Sequence, residues 1–164
     1  SRLMKSKLLL LLIAAAMLCG CEPMRDRVTH YTYVNATDKT IVVTLYDQNF
    51  FTDDWMLEVN PDAKEVFSFV IPPREQYTRT VPRMHMRKKS VAPPFKDIEE
   101  AVCITVSNGE RVISHLRPYG LFDRYAIIGK ECYEETKSTS KAAYLQCIFD
   151  DEFFNYGVPV PVDD

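Results

Sequence analysis

The chain has 164 residues, 20 Lys plus Arg against 23 Asp plus Glu, a net charge of −3, and 46% apolar residues. That length and apolar share are enough for one domain with a genuine core. The acidic balance argues against a nucleic-acid binder, whose phosphate contacts need a basic surface.

Ser1-Arg2-Leu3 precede Met4 and read as an upstream extension. Lys5 and Lys7 then form a charged stretch, and Leu8 through Met17 an apolar run. The run is about half the roughly 20 residues a helix needs to cross the hydrocarbon core, so it reads as a removable signal rather than a span. It closes on Leu18-Cys19-Gly20-Cys21, which resembles the lipobox of bacterial lipoproteins, with Cys19 where Ala or Ser is usual. The resemblance implies a signal peptide over 1–20, a diacylglyceryl group on the Cys21 thiol, and cleavage before that residue. Two or three acyl chains, at about 0.8 kcal/mol per buried CH₂, would hold the chain to a membrane. An ordinary secretory signal cut elsewhere is the plainer alternative. Residues 21–27 follow as a polar tether, and 28–164 as a single domain. Arg2, Lys5 and Lys7 leave with residues 1–20 and no acid does, which takes the net charge from −3 to about −6.

Past the tether, period-two alternation and β-branched or aromatic residues dominate, and no long 3.6-residue stripe competes. Arg27–Asn35 and Lys39–Asp47 flank Ala36-Thr37-Asp38 as a first hairpin. Trp55–Asn60 and Ala63–Ile71 flank the turn pair Pro61-Asp62. Ala101–Ser107 and Glu110–Leu116 enclose Asn108-Gly109, a strong hairpin signal because both residues accept the positive φ of a type I′ turn. Tyr125–Glu135 and Ala142–Phe149 give a last hairpin. Asp150–Gly157 then fits one helical turn before the extended Val158-Pro159-Val160-Pro161. Seven or eight short strands predict an all-β antiparallel sandwich, immunoglobulin-like or Greek-key, with a small β-barrel as the alternative.

Cys103, Cys132 and Cys147 remain once Cys19 is removed and Cys21 is acylated. A last hairpin turning between Thr139 and Ser140 sets Cys132 opposite Cys147, within disulfide reach and in an export compartment that permits one. Three reduced core thiols are the equal alternative.

The segment 72–94 interrupts the strand pattern with over twenty residues lacking periodicity, and loops of that length are uncommon unless functional or disordered. Arg79, Arg83, Arg87, Lys88 and Lys89 make it a positive patch on an acidic chain, suited to lipid phosphates, anionic glycans or an acidic partner. The bland alternatives are a solvated loop or an additional edge strand near Thr78–Met86. Met84-His85-Met86 has soft-metal ligands, but on a strand His85 would turn away from the methionines, and no metal is assigned. The acid groups Asp53-Asp54, Glu99-Glu100, Glu134-Glu135 and Asp150-Asp151-Glu152 could act as a carboxyl pair only if the fold joined two of them. Trp55, with Phe50, Phe51 and Met56, is either core or a platform for a sugar face. No catalytic motif or cofactor fingerprint is present, which points away from an enzyme.

With the leader, the opening Tyr31–Ile41 and the closing Tyr144–Tyr156 in view, the chain resembles small lipoproteins of unassigned function from gut Bacteroidota. The resemblance implies an exported β-sandwich without cofactor, anchored in the bacterial cell envelope at the outer membrane and on a face left open. Apart from the resemblance, the chain is expected to be a binding module for a ligand or protein partner there, or alternatively a structural or assembly lipoprotein, with a glycan-active enzyme the least favoured role.

Overall fold

The computed structural model describes residues 2–8, 25–86, 90–117, 126–129 and 131–162. Residues 2–8 are helical. The rest is an all-β sandwich of two sheets, with nine strands among the described residues. These are β1 (Arg25–Asn35), β2 (Ile41–Tyr46), β3 (Glu65–Ile71), β4 (Gln76–Met86), β5 (Cys103–Ser107), β6 (Arg111–Leu116), β7 (Glu134–Ser138), β8 (Ala142–Phe149) and β9 (Val158–Pro159). One sheet is ordered β4-β1-β8-β7 and the other β3-β2-β5-β6-β9, and neither closes into a barrel. Pairing is antiparallel except between β1 and β8, which run parallel.

Period-two alternation builds the core. β1 turns Tyr31 and Tyr33 inward, β2 Ile41, Val43 and Leu45, β3 Phe69 and Ile71, β5 Ile104 and Val106, and β8 Leu145, Cys147 and Phe149. Tyr33 lies within ring contact of Phe69, Phe95, Tyr133 and Phe149, so one aromatic ties both sheets and two loops together. Its hydroxyl meets that of Tyr133 at 2.9 Å, and Tyr133 donates to the Ile127 carbonyl at 2.5 Å. Burial pushes the pKa of both phenols up, so they stay protonated donors.

The first expected hairpin is not one. β1 and β2 lie in different sheets. Asn35, buried at the end of β1, donates through Nδ2 to the carbonyls of Lys39 (2.7 Å), Ile71 (3.0 Å) and Pro72 (3.1 Å). Its Oδ1 accepts from the Thr37 N–H (2.9 Å) and hydroxyl (2.7 Å). An Asx corner thus lifts the chain from one layer to the other. Trp55–Asn60 is not a strand either; residues 47–64 form a loop whose arms meet at an isolated Phe51–Val59 bridge and at backbone bonds either side of it. The β5–β6 hairpin forms, with its turn one residue later than expected. Gly109 alone takes positive φ (88°), as the first position of a two-residue turn requires, while the Asn108 side chain accepts from Glu110 and Arg111 N–H.

In the last hairpin β8 falls where expected and β7 does not. Glu134 pairs with Gln146 and Ser138 with Ala143, with an irregularity between Glu135 and Lys137. The Thr139 N–H closes the turn on the Ala142 carbonyl at 2.8 Å, centring it on Ser140–Lys141 instead of Thr139–Ser140. A 3-10 turn over Glu152–Tyr156 does follow, burying Phe153 and Phe154.

β1 begins at Arg25, inside the stretch read as tether. Arg27 is buried, its guanidinium donating to the Ser90 carbonyl, the Ser138 hydroxyl and, at 3.3 Å, the Thr139 carbonyl. The first strand is thereby locked to two loops at the end where the chain enters.

Candidate functional site

Eleven residues of the 72–94 stretch, Gln76–Met86, are not loop but an edge strand, the alternative expected near Thr78–Met86. β4 runs along β1 from Gln76 opposite Val34 to Met86 opposite Arg25. The inward residues Tyr77, Arg79 and Val81 carry a period of two that the charge on Arg79 itself disguises, and the ladder shifts where β4 passes Pro82. Proline is tolerated because β4 is an edge strand. Arg79 is therefore not an exposed ligand contact. It is buried, bonds Asp97 at 2.7 Å, and its guanidinium carbon lies 5.3 Å from the centre of the Phe67 ring and 5.0 Å from that of Phe95. Arg83 belongs to β4. Arg87, Lys88 and Lys89, like Cys21, lie outside the described residues.

The feature that sequence reading left undecided, the aromatic group around Trp55, is where the structure places apolar side chains in water. The 47–64 loop is closed at its base by Asp47 and Lys64, which bond backbone to backbone at 3.0 Å and through the Asp47 carboxylate at 2.8 Å. Further along, Asn60 N–H donates to the Phe50 carbonyl at 2.8 Å and Thr52 N–H to the Glu58 carbonyl at 2.9 Å. Phe51 is buried and Phe50 leans on Tyr46, with ring centres 5.1 Å apart. These two rings are the core half of the cluster.

The other half faces out. Trp55 is 82% exposed, Leu57 75% and Met56 38%. The backbone beneath them is held by a carboxylate. Asp53 accepts from the N–H of Leu57 (3.0 Å) and of Glu58 (2.9 Å), while Met56 takes a positive φ of 57° and donates its N–H to the Asp53 carbonyl (3.3 Å). These backbone bonds, that from Glu58 foremost, hold the Asp53 carboxyl below its ordinary value of 3.8. Beside the loop, two hollows of about 320 and 380 Å³ share Met56, Ser114 and His115. Phe51, Asp53 and Asp54 border the first, Val112 and Tyr156 the second.

A third hollow of about 310 Å³ brings Cys132 and Cys147 together with Glu131, Glu134, Asp150 and Glu152. All three described cysteines are free thiols. The expected direct opposition of Cys132 and Cys147 across a ladder does not occur, because the turn sits one position later and Cys132 precedes β7. The two thiols nevertheless meet: a hydrogen bond with Cys132, then burial, push the Cys147 pKa well up. A protonated, buried thiol is a poor nucleophile and a poor metal ligand. Cys103, also buried, lies 3.2 Å from the Ser114 hydroxyl.

Among the described residues no group of three His, Cys, Asp or Glu is placed to hold a metal ion. His30 stacks on Tyr144 with ring centres 4.7 Å apart and bonds Thr80 at 2.7 Å. No described helix is long and apolar enough to cross a membrane.

No family model and no curated protein matches the chain. Among solved structures, IP-1A from Alcaligenes faecalis superposes over 77% of this chain and 93% of its own, at 9% identity and a TM-score of 0.27. A superposition that loose carries no argument.

Proposed function

We propose that this chain is a membrane-anchored, noncatalytic lipoprotein of the bacterial cell envelope, whose sandwich is a binding module with its contact surface on the 47–64 loop. The observation that carries the binding reading is the tip of that loop. Trp55 and Leu57 stand in solvent on a backbone fixed by the Asp53 carboxylate. A surface ordered before it meets its partner loses less conformational freedom on binding, and large aromatic anchors dominate the energy of contact surfaces. The basic segment contributes less than its sequence promised, since Arg79 is spent on Asp97.

The anchor reading rests on the leader, on the small residue before Cys21, and on a first strand that starts four positions later at Arg25. Cells making the full chain and fed radiolabelled palmitate test it. The wild type is expected to carry label and to sediment with membranes, and Cys21→Ala to lose both. Label retained by Cys21→Ala, or a wild type recovered only in the soluble fraction, rejects the anchor.

A further inference from the structure

The two hollows beside the 47–64 loop share Met56, Ser114 and His115, so they join into one groove and the tip of the loop lies back along β6. Asp53 and Asp54 border the groove towards one end, and Val112, Tyr156 and Val158 towards the other. One end is therefore acidic and the other apolar. Between them β6 is the margin of its sheet. β9 pairs with it only at Arg111 and Val112, and past Val112 no strand among the described residues lies on that side of it. The acids are also uncompensated: no Lys or Arg lies between Asn49 and Ala63, and none of the ion pairs among the described residues engages Asp53, Asp54 or Glu58.

We infer that the groove receives an extended segment of a partner protein that is basic at one end and apolar at the other. Its Arg or Lys side chains lie against Asp53, Asp54 and the Trp55 ring, its apolar side chains between Met56 and Tyr156, and its backbone along the margin of β6. This deepens the proposed function and rests on the loop being the contact surface. Each part of the groove selects one part of that ligand. Carboxylates with no counter-charge attract a cationic segment and repel an acidic one. Trp55, next in sequence to Asp54 and exposed, offers the aromatic face best suited to a guanidinium or ammonium group. Met56, borne by both hollows, is a flexible, polarisable side chain that adapts to apolar side chains of different shape. A strand margin without a neighbour presents main-chain N–H and C=O groups at the repeat of an extended chain, which a peptide matches and a sugar ring does not. Charge and strand margin together thus favour a basic peptide over the glycan that an exposed tryptophan alone would equally fit.

Trp55 is the single tryptophan, so its emission reports the tip alone. Full-length protein is titrated with a short tryptophan-free peptide carrying arginines at one end and leucines at the other, with the same peptide bearing glutamates in place of the arginines, and with a neutral glucan oligosaccharide. Expected with the arginine peptide are a shift of Trp55 emission and protection from acrylamide quenching, both weakened by added salt, and neither change with the other two probes. Asp54→Lys, at an exposed position, is expected to weaken binding of the arginine peptide about tenfold or more without altering the circular dichroism spectrum. Glu135→Lys makes the same change of charge on β7 in the other sheet and is expected to leave binding unchanged. An arginine peptide that fails to shield Trp55, or that binds Asp54→Lys as tightly as wild type, overturns the inference. Shielding by the oligosaccharide or the glutamate peptide instead overturns it while the loop stands as a contact surface, and shielding by no probe removes both.

Discussion

Arg79 shows how a single charged residue can mislead a reading by charge. Its guanidinium spends one nitrogen on Asp97, while Nε and Nη1, buried between the Phe67 and Phe95 rings, have no hydrogen-bond partner. The ion pair therefore offsets a desolvation cost rather than adding a clear surplus. Two substitutions should separate these terms in urea unfolding of the domain. Asp97→Ala leaves a buried cation without its counter-charge and is expected to cost about 3–5 kcal/mol. Arg79→Met keeps the volume, removes the two unpartnered donors, and is expected to lie within about 1.5 kcal/mol of wild type. If Arg79→Met is the more damaging of the two, the stacking on Phe67 and Phe95 outweighs the charge, and the ordering argued here is wrong. The inward parity of Arg79 was legible in principle: Tyr77, Arg79 and Val81 alternate with Gln76, Thr78 and Thr80. The dense cations and Pro82 hid it, because a run of charge reads as solvent-exposed unless the alternation is followed through it. Nor does sequence reveal that Asp53 bends back on Leu57 and Glu58, which is what turns Trp55 outward.

At the scale of the elements, strand alternation was readable and strand pairing was not. β2, β3, β5, β6 and β8 fall within the expected runs because each is rich in β-branched or aromatic residues and bounded by turn residues. Where two such runs meet at Ala36-Thr37-Asp38, the same turn residues serve a hairpin or a corner between layers, and local chemistry does not separate the two. The decision lies in Asn35, whose amide reaches across to the β3 end at Ile71 and Pro72. Asn35→Ala removes the donor to those carbonyls and the acceptor of the Thr37 N–H in the interior, and is expected to destabilise the domain by about 1–3 kcal/mol. Asn35→Asp keeps the acceptor that orders Thr37 but loses all three donor bonds, so it should be at least as harmful in urea unfolding at neutral pH. A destabilisation confined to Asn35→Ala would instead place the weight on the acceptor side. β7 illustrates the register problem from the other direction. One shift of the turn and one irregularity near Thr136 move every partner, and an edge strand bearing Glu134, Glu135 and Lys137 has no buried face to fix its register.

For the whole molecule, the thiol pair connects the fold to the compartment that the leader implies. Direct opposition of Cys132 and Cys147 requires a register the structure does not adopt, yet both thiols line one hollow, where residues before β7 return along β8. In the folded chain Cys147 is a poor nucleophile, since thiolate is the attacking species and Cys132 and burial hold it protonated. A raised pKa means the thiolate becomes populated only as pH climbs well above the ordinary cysteine value of 9.0. A chain oxidised while still unfolded, by disulfide exchange with an envelope oxidoreductase, would bridge before Cys147 is buried. The protein isolated from an oxidising envelope is thus expected to be two hydrogens lighter than its reduced form, with Cys103 as the thiol that reacts after denaturation. Closing the 132–147 loop should stabilise it by about 3 kcal/mol relative to the reduced chain. Purification under thiol-blocking conditions, followed by denaturation, alkylation and mass measurement, reads all of this at once. Three alkylated cysteines among Cys103, Cys132 and Cys147 in the exported protein would show that the contact is a reduced core pair, and equal stability of the wild type under oxidising and reducing conditions would confirm that outcome independently.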